Sequence, residues 1–190
     1  MTPRLAAASV LVLASFGCSA SVAQAPAAKG FPNQIAFDDE VLELKAVWKR
    51  EERSAASYAR KEEKIPAPLQ VGVIVSTSGE NDEDLHNWVM DRYTSSLGLQ
   101  QYHTETEANW ACKVGLLPPL GAQPRPFIAL HLCRQGARGT ACAEVEEELE
   151  GIELTECINR PSCWKAKCEQ RWDARSESVE AVVRNAVGER

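Results

Sequence analysis

Six cysteines crowd into residues 112 to 168, and any fold this chain adopts must place them. They are Cys112, Cys133, Cys142, Cys157, Cys163 and Cys168, with a seventh, Cys18, near the N-terminus. Whether they become thiols, metal ligands or disulfides depends on the compartment, and the N-terminus bears on that. Met1-Thr2-Pro3-Arg4 carries one positive charge, residues 5–17 form an apolar run, and residues 18–25 are mostly small. This is the order of regions in a secretory signal peptide. Ser21 and Ala23 suit the small positions before the cut, so residues 1–23 are expected to be removed. The alternative is a lipoprotein signal that makes Cys18 the lipidated first residue, although Ser15 stands where a leucine is expected. The apolar run falls short of the roughly 20 residues that span a bilayer, so no transmembrane span is expected in the mature chain.

Cleavage takes Cys18 away and leaves an even number of cysteines in an oxidising space, which predicts three structural disulfides in a periplasmic or secreted protein. The remaining chain of about 167 residues is one domain's length and can bury a substantial core. The net charge is −6 over the whole chain; the removed segment holds Arg4 and no acid, leaving −7. An acidic balance argues against nucleic acid and anionic membrane surfaces as partners, since both require clustered Lys and Arg.

The expected organisation is a flexible Ala/Pro/Gly tether over 24–36 followed by a single globular domain over 37–190. In the domain a long helix is expected over 38–64, capped by Asp38 with Phe37 and Leu42 as a staple, because Phe37, Val41, Leu44 and Trp48 share a helical face. Residues 69–133 read as the sheet-containing part. The run Val71-Gly72-Val73-Ile74-Val75 is short and β-branched, as in a buried central strand. A helix follows from Leu85, then strands over 100–106, 110–117 and 127–133. Residues 140–188 read as a cysteine-rich helical hairpin with arms over 143–159 and 162–187, Pro161 suiting the first turn of the second arm. The fold class is therefore α+β: a small sheet covered by helices, with a disulfide-stapled C-terminal hairpin.

Seven glutamates and no basic residue lie between positions 144 and 156, whereas Arg160, Lys165, Lys167, Arg171 and Arg175 follow. Opposed runs of this kind are expected to face each other. Trp164, Cys168 and Trp172 share a face with Val179, Val182, Val183 and Ala186, and this stripe reads as core. For the disulfides, the turn near Arg160 brings Cys157 to Cys163; Cys142 could reach Cys168, and Cys112 could pair with Cys133 across the sheet.

Chemistry is sparsely marked. Leu132-Cys133-Arg134-Gln135-Gly136 resembles the nucleophile turn of caspase-like cysteine peptidases, which implies Cys133 as nucleophile and a histidine base, with His131 on the same strand face. The chain lacks the His-Gly turn of that family. Neither Cys-x-x-Cys nor His-Glu-x-x-His occurs, and no P-loop or Gly-x-Ser-x-Gly elbow, so no metal, cofactor or catalytic residue is assigned. Glu80, Asp82, Glu83 and Asp84 cluster after the central strand, where acids serve a helix dipole. Glu144, Glu146, Glu147, Glu148 and Glu150 form a candidate surface for a protein partner. The expected function is a non-catalytic binding or accessory protein of a bacterial periplasm or exterior. The alternatives are a small hydrolase that uses a histidine with Cys133 or a carboxylate, and a metal-binding protein.

Overall fold

The computed structural model describes residues 30–50, 52–65, 67–95, 100–106, 110–117 and 125–189. The expected signal peptide, with Cys18, lies outside the described residues, as does the tether up to residue 29. Along the chain run β1 (Gln34–Phe37), β2 (Glu40–Arg50), β3 (Arg53–Ala59), β4 (Leu69–Ser76), α1 (Asp82–Ser95), β5 (Gln100–Thr106), β6 (Ala111–Leu117), β7 (Arg125–Gly136), β8 (Gly139–Glu148), α2 (Gly151–Cys157) and α3 (Pro161–Val187).

All eight strands join one antiparallel sheet in the order β1-β2-β3-β4-β8-β7-β6-β5. It consists of two four-stranded meanders joined side by side through β4 and β8. Those two strands lie at the centre, which accounts for the continuous burial of residues 140–146 on β8. The sheet curls so that α3 touches both edge strands, β1 and β5. The fold is thus α+β, with a sheet larger than expected.

The two faces differ in chemistry. Leu42, Tyr58, Val71, Val73, Leu132, Ala143 and Val145 pack with Val179, Val182, Val183 and Val187 of α3. Each fully buried side chain of this size contributes on the order of 1.5–3 kcal/mol. Toward the N-terminal half of α3, Cys112, Val114, Ile128, Leu130 and Leu149 surround Trp164 and Cys168. Trp172 stacks on Trp110, with ring centroids 5.0 Å apart. The apolar stripe on α3 is therefore core, as its spacing predicts. Its C-terminus closes on Gly188 in the left-handed region at φ 82°, a conformation that glycine adopts without steric cost. The opposite face carries the smaller helix α1, packed on β7 and β8 through Leu85 and Val89.

One expected helix is a pair of strands, and another is strand in its first part. In place of the helix expected over 38–64 stand β2 and β3, and a bulge between Leu44 and Ala46 shifts the register. It brings Leu42, Leu44 and Val47 toward one core, and the broken alternation imitates helical spacing. Asp38 is not a helix cap. It occupies the β1–β2 turn with φ 51°, which Asp tolerates better than most residues. Its amide donates to Ser178 Oγ at 3.0 Å. Sheet structure also reaches into the expected tether, since β1 begins at Gln34 and Pro32 O accepts from Tyr58 Oη.

The first arm expected for the hairpin, 143–159, is strand as far as Glu148 and helical only from Gly151 to Cys157. Ala141, Ala143 and Val145 face α3 while Cys142, Glu144 and Glu146 face the other side, a period of two. The C-terminal hairpin is thus reduced to α2 against α3.

Candidate functional site

Three disulfides join the six cysteines. Cys157–Cys163 is as expected, across the turn between α2 and α3. The other two pairings are corrected. Cys133 bonds Cys142, its register partner across the β7–β8 hairpin, and Cys112 bonds Cys168. The cause is the strand face. Cys112 lies opposite Leu130 and points with it toward α3, whereas Cys133 lies an odd number of residues further along β7 and points toward α1. A pairing of Cys112 with Cys133 would have to pass through the sheet.

Beneath α1 the sheet holds a layer of polar groups. In one row across the strands stand Ala111, His131, Glu144 and Gly72; in the next stand Lys113, Ala129, Glu146 and Gln70. His131, Lys113, Glu144 and Glu146 are all less than a tenth exposed. Small neighbours make this possible. A Cβ on Gly72 would come within 3.7 Å of Glu144 Cβ. From above, α1 lowers His86 and Met90, which are four residues apart and so on one helix face. The ring of His86 meets that of His131 edge to face at 5.2 Å, and His131 Nε2 touches Met90 Sδ. Lys113 Nζ donates to the Met90 carbonyl.

The electrostatics follow from burial. The Lys113 ammonium is pushed down by desolvation, with the charges of Asp91 and Glu144 opposing that shift. His86 is lowered by desolvation and then by the Lys113 charge. Both effects favour the neutral imidazole.

At the rim of this face Arg53 grips Glu80 with two hydrogen bonds, one of them Nε to Oε2 at 3.0 Å, while its guanidinium lies over the Trp88 ring at 4.5 Å. Ser76 Oγ donates to Glu80 Oε2 at 2.5 Å. The Arg53 hydrogen bonds first, and those from Ser76 and Ser78 after them, hold the Glu80 carboxyl down to about 2 against the opposing effect of burial. Glu80 thus clamps the β4–α1 loop. Asp82, Glu83 and Asp84 occupy the first turn of α1, and Asn81 Oδ1 caps it by accepting from the Asp84 amide at 2.8 Å.

The acidic run divides three ways. Glu144 and Glu146 are buried in the polar layer. Glu147 forms ion pairs with Arg171 Nε at 3.1 Å and with Arg175, which also reaches Asp38. Burial raises the Glu147 carboxyl despite the Arg171 charge. Glu153 pairs with Lys167 and Arg171, each at 3.1 Å. Acidic and basic runs therefore do face each other, across β8, α2 and α3. Glu148 and Glu150 are exposed.

As for the peptidase-like turn, His131 and Cys133 do share a strand face, but Cys133 is one half of a disulfide and holds no thiolate to attack with. His103 lies on β5, and its side chain is outside the described residues. Among the described residues, no three or more His, Cys, Asp or Glu gather in a way that could hold a metal ion. Met90 and Lys113 escaped the reading of the sequence; the available signal for Met90 was its spacing of four from His86. The chain matches no protein-family model, no curated protein and no solved structure. What the fold defines is a class: a disulfide-linked α+β protein with a curled antiparallel sheet.

Proposed function

We propose that this is an exported binding or accessory protein of the periplasm or cell exterior that acts without an active site of its own. The observation that carries this reading is the complete pairing of the six cysteines into disulfides. Such pairing suits an oxidising compartment and removes the thiol on which a Cys/His hydrolase would depend. The His/carboxylate alternative is weakened by burial, because His131 is fully buried and Glu144 nearly so beneath α1, which leaves little room for a substrate between them. Among the described residues, no helix is long and apolar enough to cross a membrane.

The partner is a protein, and the surface that meets it is the outward part of the acidic run, Glu148 and Glu150. The test begins with the intact mass of protein recovered from the exporting cell, without reduction. A chain that starts at Gln24, lacks six hydrogens and resists thiol alkylation is expected; a lipid on Cys18 or an alkylatable Cys133 overturns the reading. A photo-crosslinking side chain at Glu150 should then yield one discrete adduct in the exporting cell, and a ladder of unrelated adducts argues against a dedicated partner.

A further inference from the structure

We propose that His86, Met90 and His131 form a site for monovalent copper, closed over by α1. This inference is independent of the partner-binding reading, since it needs only the side chains between α1 and β7. The His131 ring touches both of the other groups: its Nε2 lies against Met90 Sδ, and its centroid is 5.2 Å from that of His86. Two imidazoles bound to one tetrahedral metal through nitrogens at about 2.0 Å place their ring centroids roughly 5 Å apart. The ring separation therefore matches that of a pair sharing an ion, and the flexible Met90 thioether, which now lies against Nε2, draws back to admit it. The His86-x-x-x-Met90 spacing puts the third donor on the same face of α1.

Ligand chemistry selects the ion. A thioether is soft and neutral, and imidazole is borderline, a set that suits Cu(I) and disfavours Mg, Ca and Mn. Among the described residues no thiolate competes, because their six cysteines are bonded to one another. Charge acts in the same direction. Lys113 already buries one cation beside Met90, in the field of Glu144 and Asp91. A second charge is costly there, and a monocation costs less than Zn(II) or Cu(II). His86 and Met90 are only partly buried, which leaves an entry along the flank of α1, while the fully buried His131 anchors the inner side.

The test uses oxidised protein recovered from the exporting cell, with any free thiol alkylated. It is titrated anaerobically with copper and ascorbate, which leaves disulfides intact, against the chromophoric Cu(I) chelator bicinchoninate. One copper per chain should be retained, and X-ray absorption should show a sulfur neighbour with nitrogens. Met90→Leu nearly conserves volume and should keep the fold. This variant, and His86→Gln with it, should weaken Cu(I) binding by at least the roughly tenfold that losing even an outer-shell partner costs. His103→Ala should bind as the parent does. The proposal is overturned if folded parent protein yields all its copper to the chelator, if Met90→Leu binds equally well, if His103→Ala loses the metal, or if Zn(II) displaces copper at equal concentration.

Discussion

Replacing Cys112 and Cys168 together with alanine should destabilise the protein more than removing either of the other two bridges. In the chain-entropy description, a crosslink stabilises by restricting the unfolded ensemble, and its effect grows with the logarithm of the loop it closes. The bridges close separations of 56 residues for Cys112–Cys168, 9 for Cys133–Cys142 and 6 for Cys157–Cys163. These lengths correspond to about 4.2, 2.6 and 2.2 kcal/mol. With a urea dependence of about 2 kcal/mol per molar, the midpoint should fall by roughly 2 M for the first pair and by roughly 1 M for each of the others. Cys112 and Cys168 are also fully buried, between β6 and α3, so a cavity adds to the same loss. The slope of the urea transition separates the two causes, because only release of the long loop expands the denatured chain and steepens it. Equilibrium urea unfolding, followed by tryptophan fluorescence, measures midpoint and slope together. A Cys112/Cys168 variant no less stable than the Cys157/Cys163 variant, or one with an unchanged slope, refutes the argument.

Two further outcomes can be read from the clamp at the end of β4. Glu80 is held well below its ordinary range, so its contribution is complete above pH about 4.5 and lost as pH falls toward 2; discounted for its partial exposure, it amounts to about 1–2 kcal/mol. Urea unfolding of Glu80→Gln across that window should show a flatter acid limb than the parent, and parallel limbs would remove Glu80 from the account. Gly139 has φ 113°, and a Cβ there would lie 2.4 Å from the Ser76 carbonyl oxygen. Gly139→Ala should therefore cost about 1–3 kcal/mol, measurable as a lowered melting temperature, and an unchanged one would show that the hairpin can shift away from β4.

Elements whose apolar pattern follows one period were legible in the sequence. The run from Val71 to Val75 is β4, the Leu85 helix is α1, and the Trp164-to-Ala186 stripe is the buried side of α3. Elements with an interrupted or charged pattern were not. The bulge in β2 broke the alternation of Leu42, Leu44 and Val47, and propensity offered nothing to choose strand over helix. On β8, glutamates alternating with Ala143 and Val145 carried a period of two, but in composition they resembled a solvated helix; burial between β4 and β7 decided otherwise. Disulfide partners were legible only across the short α2–α3 turn. The remaining pairs depend on which strand face each sulfur takes, and that is set by register. The candidate site was harder still, because His86 and Met90 meet His131 only after α1 folds over β7.

The division between the two sheet faces connects stability to function. Most of the large aliphatic burial, and the bridge that closes the longest loop, lie on the α3 side. On the other side, α1 is fixed by Leu85, Val89 and the clamp at Glu80, and beneath it the sheet presents buried histidine, lysine and carboxylates instead of a continuous apolar surface. Fewer apolar contacts mean a lower free energy of local opening. Thus α1 can lift from His131 without disturbing the core around α3, and the short Cys133–Cys142 bridge keeps the hairpin beneath it in register when it does. Amide exchange should accordingly be faster in α1 than in the Val179-to-Val187 segment of α3, and bound copper should slow it in α1 alone. A protein in which both helices exchange together would have no independent lid over the histidines.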